Sequence, residues 1–211
     1  MKLRKPHLWI VKKTPTAWPP AEYCKPPNQV LVSTRSALGW GIKWATSSKW
    51  SHVEIFRKNG TMVGAVAGGM VVHDLEEVLS WGVSAIVGPP PLIYTDDALG
   101  AYCEYVEWLV DEKTGYDFAS LPFWVFGLET SSRLNCSEAA MFCWDQLFRD
   151  NRQWPLQGQR LRMATPQDIA AIGYSLWASD GGKVRALNQR AQTKAHDWTD
   201  NLSRFKLEER R

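Results

Sequence analysis

The sequence has no run approaching the roughly 18 uninterrupted apolar residues that a membrane-spanning helix needs. Its most apolar stretches, such as residues 63–72, are short and broken by glycine. The basic start (Lys2, Arg4, Lys5) leads into a segment interrupted by Lys12, Lys13 and Pro15, so no export signal is expected. Close cysteine pairs are also missing. Cys24, Cys103, Cys136 and Cys143 stand far apart in a chain without an export signal, which reads as free thiols in a reducing compartment and disfavours structural disulfides and zinc. The glycine-rich stretch 64–69 is not followed by Lys-Ser, and no His-Glu-x-x-His occurs. The chemistry is therefore expected to use neither bound nucleotide, nor metal, nor other cofactor. Charge of one sign is likewise absent: 25 Lys and Arg against 22 Asp and Glu give +3, mixed along the chain, so nucleic acid is not an expected partner. The excess is local, with a charge of +4 from Lys183 onward.

What is present is apolar material: 45% of 211 residues, enough for one core of ordinary size. Twelve tryptophans, scattered from Trp9 to Trp198, read as core residues, with a carbohydrate-binding or membrane-interface surface as the sharper alternative. Residues 1–28 are proline-rich and lack periodicity, which predicts an extended arm laid on a domain spanning 29–182. Within that domain, 29–33 reads as a strand and 36–46 as a helix with Leu38, Ile42 and Ala45 on one side. Residues 51–57 alternate, so His52 and Glu54 share a face opposite Val53 and Ile55. Asn59-Gly60 is a hairpin turn, and 61–67 and 70–73 return as two further strands, making an antiparallel meander. A short Asp74-capped helix through Trp81 and a strand over 83–87 follow. Next comes an amphipathic helix over 96–114, capped by Asp96 or Asp97, with Leu99, Cys103, Val106 and Val110 on one side. Another helix begins near Cys136 and carries Ala140, Cys143, Trp144 and Leu147 at 3-and-4 spacing. Thr165 and Pro166 open one more. Residues 184–205 bear a heptad-like apolar stripe, predicting an amphipathic C-terminal helix over 183–211 that packs on the domain or meets a partner or second copy.

Chemistry enters with a strand histidine, His52, followed 84 residues later by a cysteine at a helix start, Cys136. The unpaired N–H groups and positive dipole end of a helix N-terminus favour a thiolate. A nearby imidazole can take its proton, and the same N–H groups can hold the oxyanion of an acyl-transfer intermediate. Acyl transfer is the reaction class that this pairing predicts.

The pieces Ser-Lys-Trp-Ser-His-Val-Glu-Ile (48–55), the Asn-Gly hairpin, Gly-Tyr-Asp-Phe (115–118), Asn-Cys-Ser-Glu-Ala-Ala (135–140) and Thr-Pro-Gln-Asp (165–168) occur in that order. In order and spacing they resemble the circularly permuted branch of the NlpC-like papain-fold superfamily, the YiiX/YebB-like group related to lecithin retinol acyltransferase-like enzymes. The resemblance runs from about Val30 to Asp168. It implies an α+β, permuted papain-like fold in which a small antiparallel sheet carrying His52 packs on the helix bearing the cysteine. It makes Cys136 the nucleophile and His52 the general base. A polar residue on the strand after the hairpin usually orients the imidazole in such enzymes, but here that strand reads Met-Val-Gly-Ala-Val-Ala (62–67). His73, on the next strand, and Glu54 are the candidates for the third place, with Glu54 also suited to a substrate contact. Tyr116 and Asp117 match the Tyr-Asp that precedes the cysteine region, with Tyr116 expected to line the substrate cleft.

The function expected on this basis is thiol-dependent hydrolysis of a peptide-type amide, with cell-wall peptides as one implied substrate class and acyl lipids as another. An acyltransferase or esterase acting on lipid, and a catalytically inactive binding module of the same fold, are the rival readings. The expected location is cytoplasmic at synthesis, and the size suits a phage-associated or bacterial protein.

Overall fold

Strand β1 (Gln29–Thr34) lies between β2 (His52–Phe56) and β5 (Gly82–Gly88), antiparallel to both. These coordinates are a computed structural model that describes residues 18–66, 69–112, 135–151, 153–154 and 164–179. With a neighbour on each edge and a layer over each face, β1 has almost no solvent side, which is why it reads Gln-Val-Leu-Val-Ser-Thr rather than alternating strictly. Its two faces still separate by parity. Val30 and Val32 join Phe56, Met62, Val78, Trp81 and Ile86 in one core cluster, while Leu31 joins Val53, Ile55, Val63, Ala85 and Val87 in the other.

The Asn59-Gly60 hairpin leads from β2 to β3 (Met62–Val66), with Gly60 at φ 83°, where a side chain would be strained. β4 (Gly69–His73) pairs with β3, and β6 (Tyr174–Ala178) pairs with β5. The result is a six-stranded antiparallel sheet of order β4-β3-β2-β1-β5-β6. Five α-helices are described: α1 (Ala37–Ala45), α2 (Leu75–Ser80), α3 (Asp96–Asp111), α4 (Cys136–Phe148) and α5 (Pro166–Ile172). The fold is α+β.

Helix α4 packs on β2 and β3 and, on another side, against α3. Ala139, Ala140, Cys143, Trp144 and Leu147, the 3-and-4 stripe, are all buried. Each large side chain so placed contributes roughly 1.5–3 kcal/mol. Two buried polar contacts fix the depth of the helix: Gln29 Nε2 donates to the Ala140 carbonyl (2.8 Å), and Trp144 Nε1 donates to that of Pro27 (3.1 Å). The second also ties down the end of the proline-rich segment, whose Tyr23 and Cys24 pack against the core.

Several expectations are corrected. The sheet is not small, because β6 follows α5 as a half-exposed edge strand; its sequence Tyr-Ser-Leu-Trp-Ala lacks alternation and takes strand form through β5. The 96–114 helix ends at Asp111 and is capped by Thr95, whose hydroxyl accepts from Ala98 N–H. Its fully buried stripe is Tyr102, Cys103, Val106 and Leu109, while Leu99 and Val110 are only partly covered. Asp74 precedes α2 without a side-chain cap bond. In α1, Leu38 and Ala45 face solvent, and Gly39 is the buried residue. The 184–205 stripe and residues 1–17 lie outside the described residues. No helix among the described residues is long and apolar enough to cross a membrane.

Candidate active site

The site forms where the first residue of β2 meets the first residue of α4. Asn135 caps α4, its Oδ1 accepting from the N–H groups of Ser137 and Glu138 (2.9 Å each), while Glu138 Oε2 accepts from Asn135 N–H (3.0 Å). This reciprocal capping box defines where the helix starts, so Cys136 occupies the first helical position. The cap engages the N–H groups of Ser137 and Glu138, not that of Cys136.

Cys136 is buried, its thiol 3.9 Å from the Ser137 hydroxyl and close enough to the His52 imidazole for the two groups to act on each other's charge. Burial alone pushes this thiol up, but the His52 charge, its hydrogen bond, the Val53 N–H and the Ser137 hydroxyl together bring it below its ordinary value of 9.0. Burial likewise disfavours the charged form of His52, yet the Cys136 thiolate and the Glu54 carboxylate outweigh it and push the imidazole up to about 10. Each charge thus favours the other, the imidazolium by lowering the thiol and the thiolate by raising the imidazole.

Glu54 completes the set. It is wholly buried on the same strand face as His52, and its Oε1 lies 2.7 Å from His52 Nε2. Its other oxygen is 3.3 Å from His73 Nδ1, and Oε1 itself is 3.2 Å from that nitrogen. Burial raises this carboxyl, but the hydrogen bonds and charge of His52 and His73 overcome it and hold it below its usual range. With Nε2 engaged by Glu54, Nδ1 is the imidazole nitrogen that remains available. The groups therefore run in the order His73, Glu54, His52, Cys136.

The strand after the hairpin lacks a polar residue because Gly64 leaves its place to Glu54. A Cβ at Gly64 would stand 2.1 Å from Glu54 Oε1 and 2.4 Å from its carboxyl carbon, so the carboxylate occupies the space a side chain would fill. Both oxygens already hold an imidazole, and the group has nowhere to retreat. Gly64→Ala is expected to cost about 1–3 kcal/mol, the usual range for forcing a methyl group into a filled core. Thermal unfolding should show it as a midpoint roughly 2–10 °C lower.

All four predicted catalytic residues thus come together: Cys136, His52, Glu54 and His73. Glu54 is corrected as a substrate contact, since both its oxygens are taken and it has no exposed surface. Tyr116 and Asp117 lie outside the described residues. Two participants escape sequence reasoning, Gly64 and Trp81. The Trp81 ring lies 5.7 Å from that of His52 and 4.9 Å, edge-on, from that of His73, and at 7% exposure it walls both imidazoles from solvent. The only signal for Gly64 was the missing polar residue; Trp81 had none among twelve tryptophans.

Among the described residues no group of three or more His, Cys, Asp or Glu side chains is arranged to hold a metal ion; the imidazoles and carboxylate here bond to one another. A cleft of about 610 Å³ lined by Tyr94, Thr95, Asp97, Leu147 and Arg149 lies at the other end of α4 and includes none of the four residues.

No protein-family model matches this chain, and no curated protein matches it in sequence. Among solved structures it is similar to the crystal structure of the metalloprotein YiiX from Escherichia coli O157:H7. The identity is 18%, the match covers 62% of this chain and 67% of that one, and the TM-score is 0.46.

Proposed function

We propose that this protein is a thiol-dependent hydrolase or acyl-transfer enzyme of permuted papain-like architecture, acting on an amide or ester carbonyl. The observation that carries the reading is the buried series His73, Glu54, His52, Cys136 ending at a helix N-terminus. In this reading the Cys136 thiolate attacks the carbonyl carbon, and the Cys136 N–H, left out of the cap, donates to the oxyanion that forms. His52, already protonated, gives its proton to the leaving amine or alcohol as the tetrahedral intermediate collapses to a thioester. Water then attacks the thioester with His52 as base, which releases the acid and returns the proton. Glu54 holds the imidazole by its Nε2 and stabilises its charge, and His73 holds Glu54. A peptide-type amide is the substrate class that the motif resemblance implies.

The test is the rate of iodoacetamide alkylation at each cysteine against pH, read by peptide mass spectrometry. Cys136 should react fastest below pH 9. Cys143 and Cys103, whose thiols burial pushes up, should stay unreactive until more alkaline pH. Equal rates at Cys136 and Cys103 would remove the nucleophile and leave the inactive binding module.

A further inference from the structure

Helix α1 turns two indoles outward that its fold does not use. Trp40 and Trp44 are 67% and 71% exposed, and their spacing of four places both on one helix face. Trp50, Trp81, Trp144 and Trp154, by contrast, are buried. The opposite side of the helix is clamped to the sheet. A Cβ at Gly39 would stand 1.9 Å from Thr34 Oγ1 and 3.2 Å from Ser51 Oγ, so only glycine lets the backbone approach this closely. Ser51 in turn donates its N–H to the Val32 carbonyl and bonds Thr34, next to His52.

The chain on either side of the helix carries charge of one sign. Between Glu22 and Glu54 the chain carries Lys25, Arg35, Lys43 and Lys49 and no acidic residue. Arg35 is exposed just ahead of the helix, and Lys43, in its last turn, donates to the Thr34 carbonyl from a partly exposed position. Indoles beside lysine and arginine, without carboxylates, are what a helix lying on an anionic bilayer presents: the ring sits at the headgroup level and the cations meet lipid phosphates. Area argues against a second protein. Two such indoles offer roughly 300 Å² between them, well short of the roughly 800 Å² per partner that a stable interface buries.

We propose that the outer face of α1 docks on an anionic phospholipid surface through Trp40 and Trp44, with the exposed Arg35 supplying the charge preference. The docking stands apart from the thiol chemistry, although the clamp at Gly39 and Ser51 sets that face beside the strand bearing His52.

The experiment is co-sedimentation of the full chain with vesicles of phosphatidylcholine alone or mixed with phosphatidylglycerol, for wild type, Trp40→Ser/Trp44→Ser and Trp108→Ser. The wild type and Trp108→Ser, changed on exposed α3, should bind the anionic vesicles alike and weakly at high salt. The double variant should lose about tenfold or more of that affinity while its Cys136 alkylation rate stays unchanged. Wild-type protein left in the supernatant, a double variant that binds like wild type, or equal binding to neutral vesicles overturns the proposal. So does a wild-type dimer that the double variant converts to monomer, since that assigns the face to a second copy.

Discussion

Glu54→Ala is expected to lower the unfolding free energy by about 3–5 kcal/mol, the usual cost of removing one partner from a buried charge pair. The carboxylate has no exposed surface and lies between two imidazoles, so its loss leaves His52 Nε2 and His73 Nδ1 facing an apolar gap. Total stabilities of single domains lie at about 5–15 kcal/mol, so a large share of the molecule's margin is at stake. The thermal midpoint should fall by roughly 6–20 °C. Glu54→Gln separates packing from charge. It fills the same space beside Gly64 and can still bond one imidazole, so it should fold, but it no longer stabilises the imidazolium. Its turnover on any substrate found is expected to fall by about 10²–10⁴-fold, the range by which orienting and charging a catalytic histidine matters. A Glu54→Gln enzyme with full turnover would reduce the carboxylate to a structural part.

His52→Ala should remove the reactivity of Cys136, and the sign follows from the opposed influences on the thiol. Burial is the largest of these and raises its pKa; the His52 charge and hydrogen bond are what bring it down. Without the imidazole the thiol loses its largest downward influence and should titrate higher than in the wild type. Less of it is then ionised at pH 7, so alkylation there should slow by about tenfold or more. In the wild type the thiolate–imidazolium pair should persist from the lowered thiol pKa up to about pH 10, where His52 loses its proton. Alkylation should therefore plateau between the lowered thiol pKa and about pH 10. Turnover should decline as pH rises through about 10, because the leaving group then lacks its acid. An unchanged alkylation profile in His52→Ala would falsify the pairing and leave the Val53 N–H, the Ser137 hydroxyl and the helix end as the activating influences.

Much of the fold is legible in the chain because its signals are local. The alternation of 51–57 parts His52 and Glu54 from Val53 and Ile55, the Asn59-Gly60 turn returns the strand, and Asn135 with Glu138 starts a helix at Cys136 within three residues. Each is an interaction among near neighbours, so a single sequence carries it. The apolar faces of α3 and α4 are visible for the same reason, but the boundaries shift: Thr95 rather than Asp96 or Asp97 caps α3, because the residue whose oxygen accepts the Ala98 N–H wins the position. Strand β6 and the outward face of α1 stay hidden, since one depends on pairing with β5 and the other on how closely Gly39 approaches Thr34.

The amino-acid sequence alone determines which groups are available for chemistry: a cysteine at a capped helix start, a strand histidine, and a glutamate two residues on that must share its face. It leaves Glu54 and His73 as equal candidates for the third place, because pattern says nothing about depth. Only the tertiary structure places them, Glu54 against His52 and His73 against Glu54. The pairing of β2 with β3 and of β3 with β4 brings Gly64 and His73 around one buried carboxylate, and Trp81 closes over the imidazoles. The physical reason is that a buried charge is tolerable only where partners from several strands converge on it, and convergence across strands is a property of register rather than of any one segment.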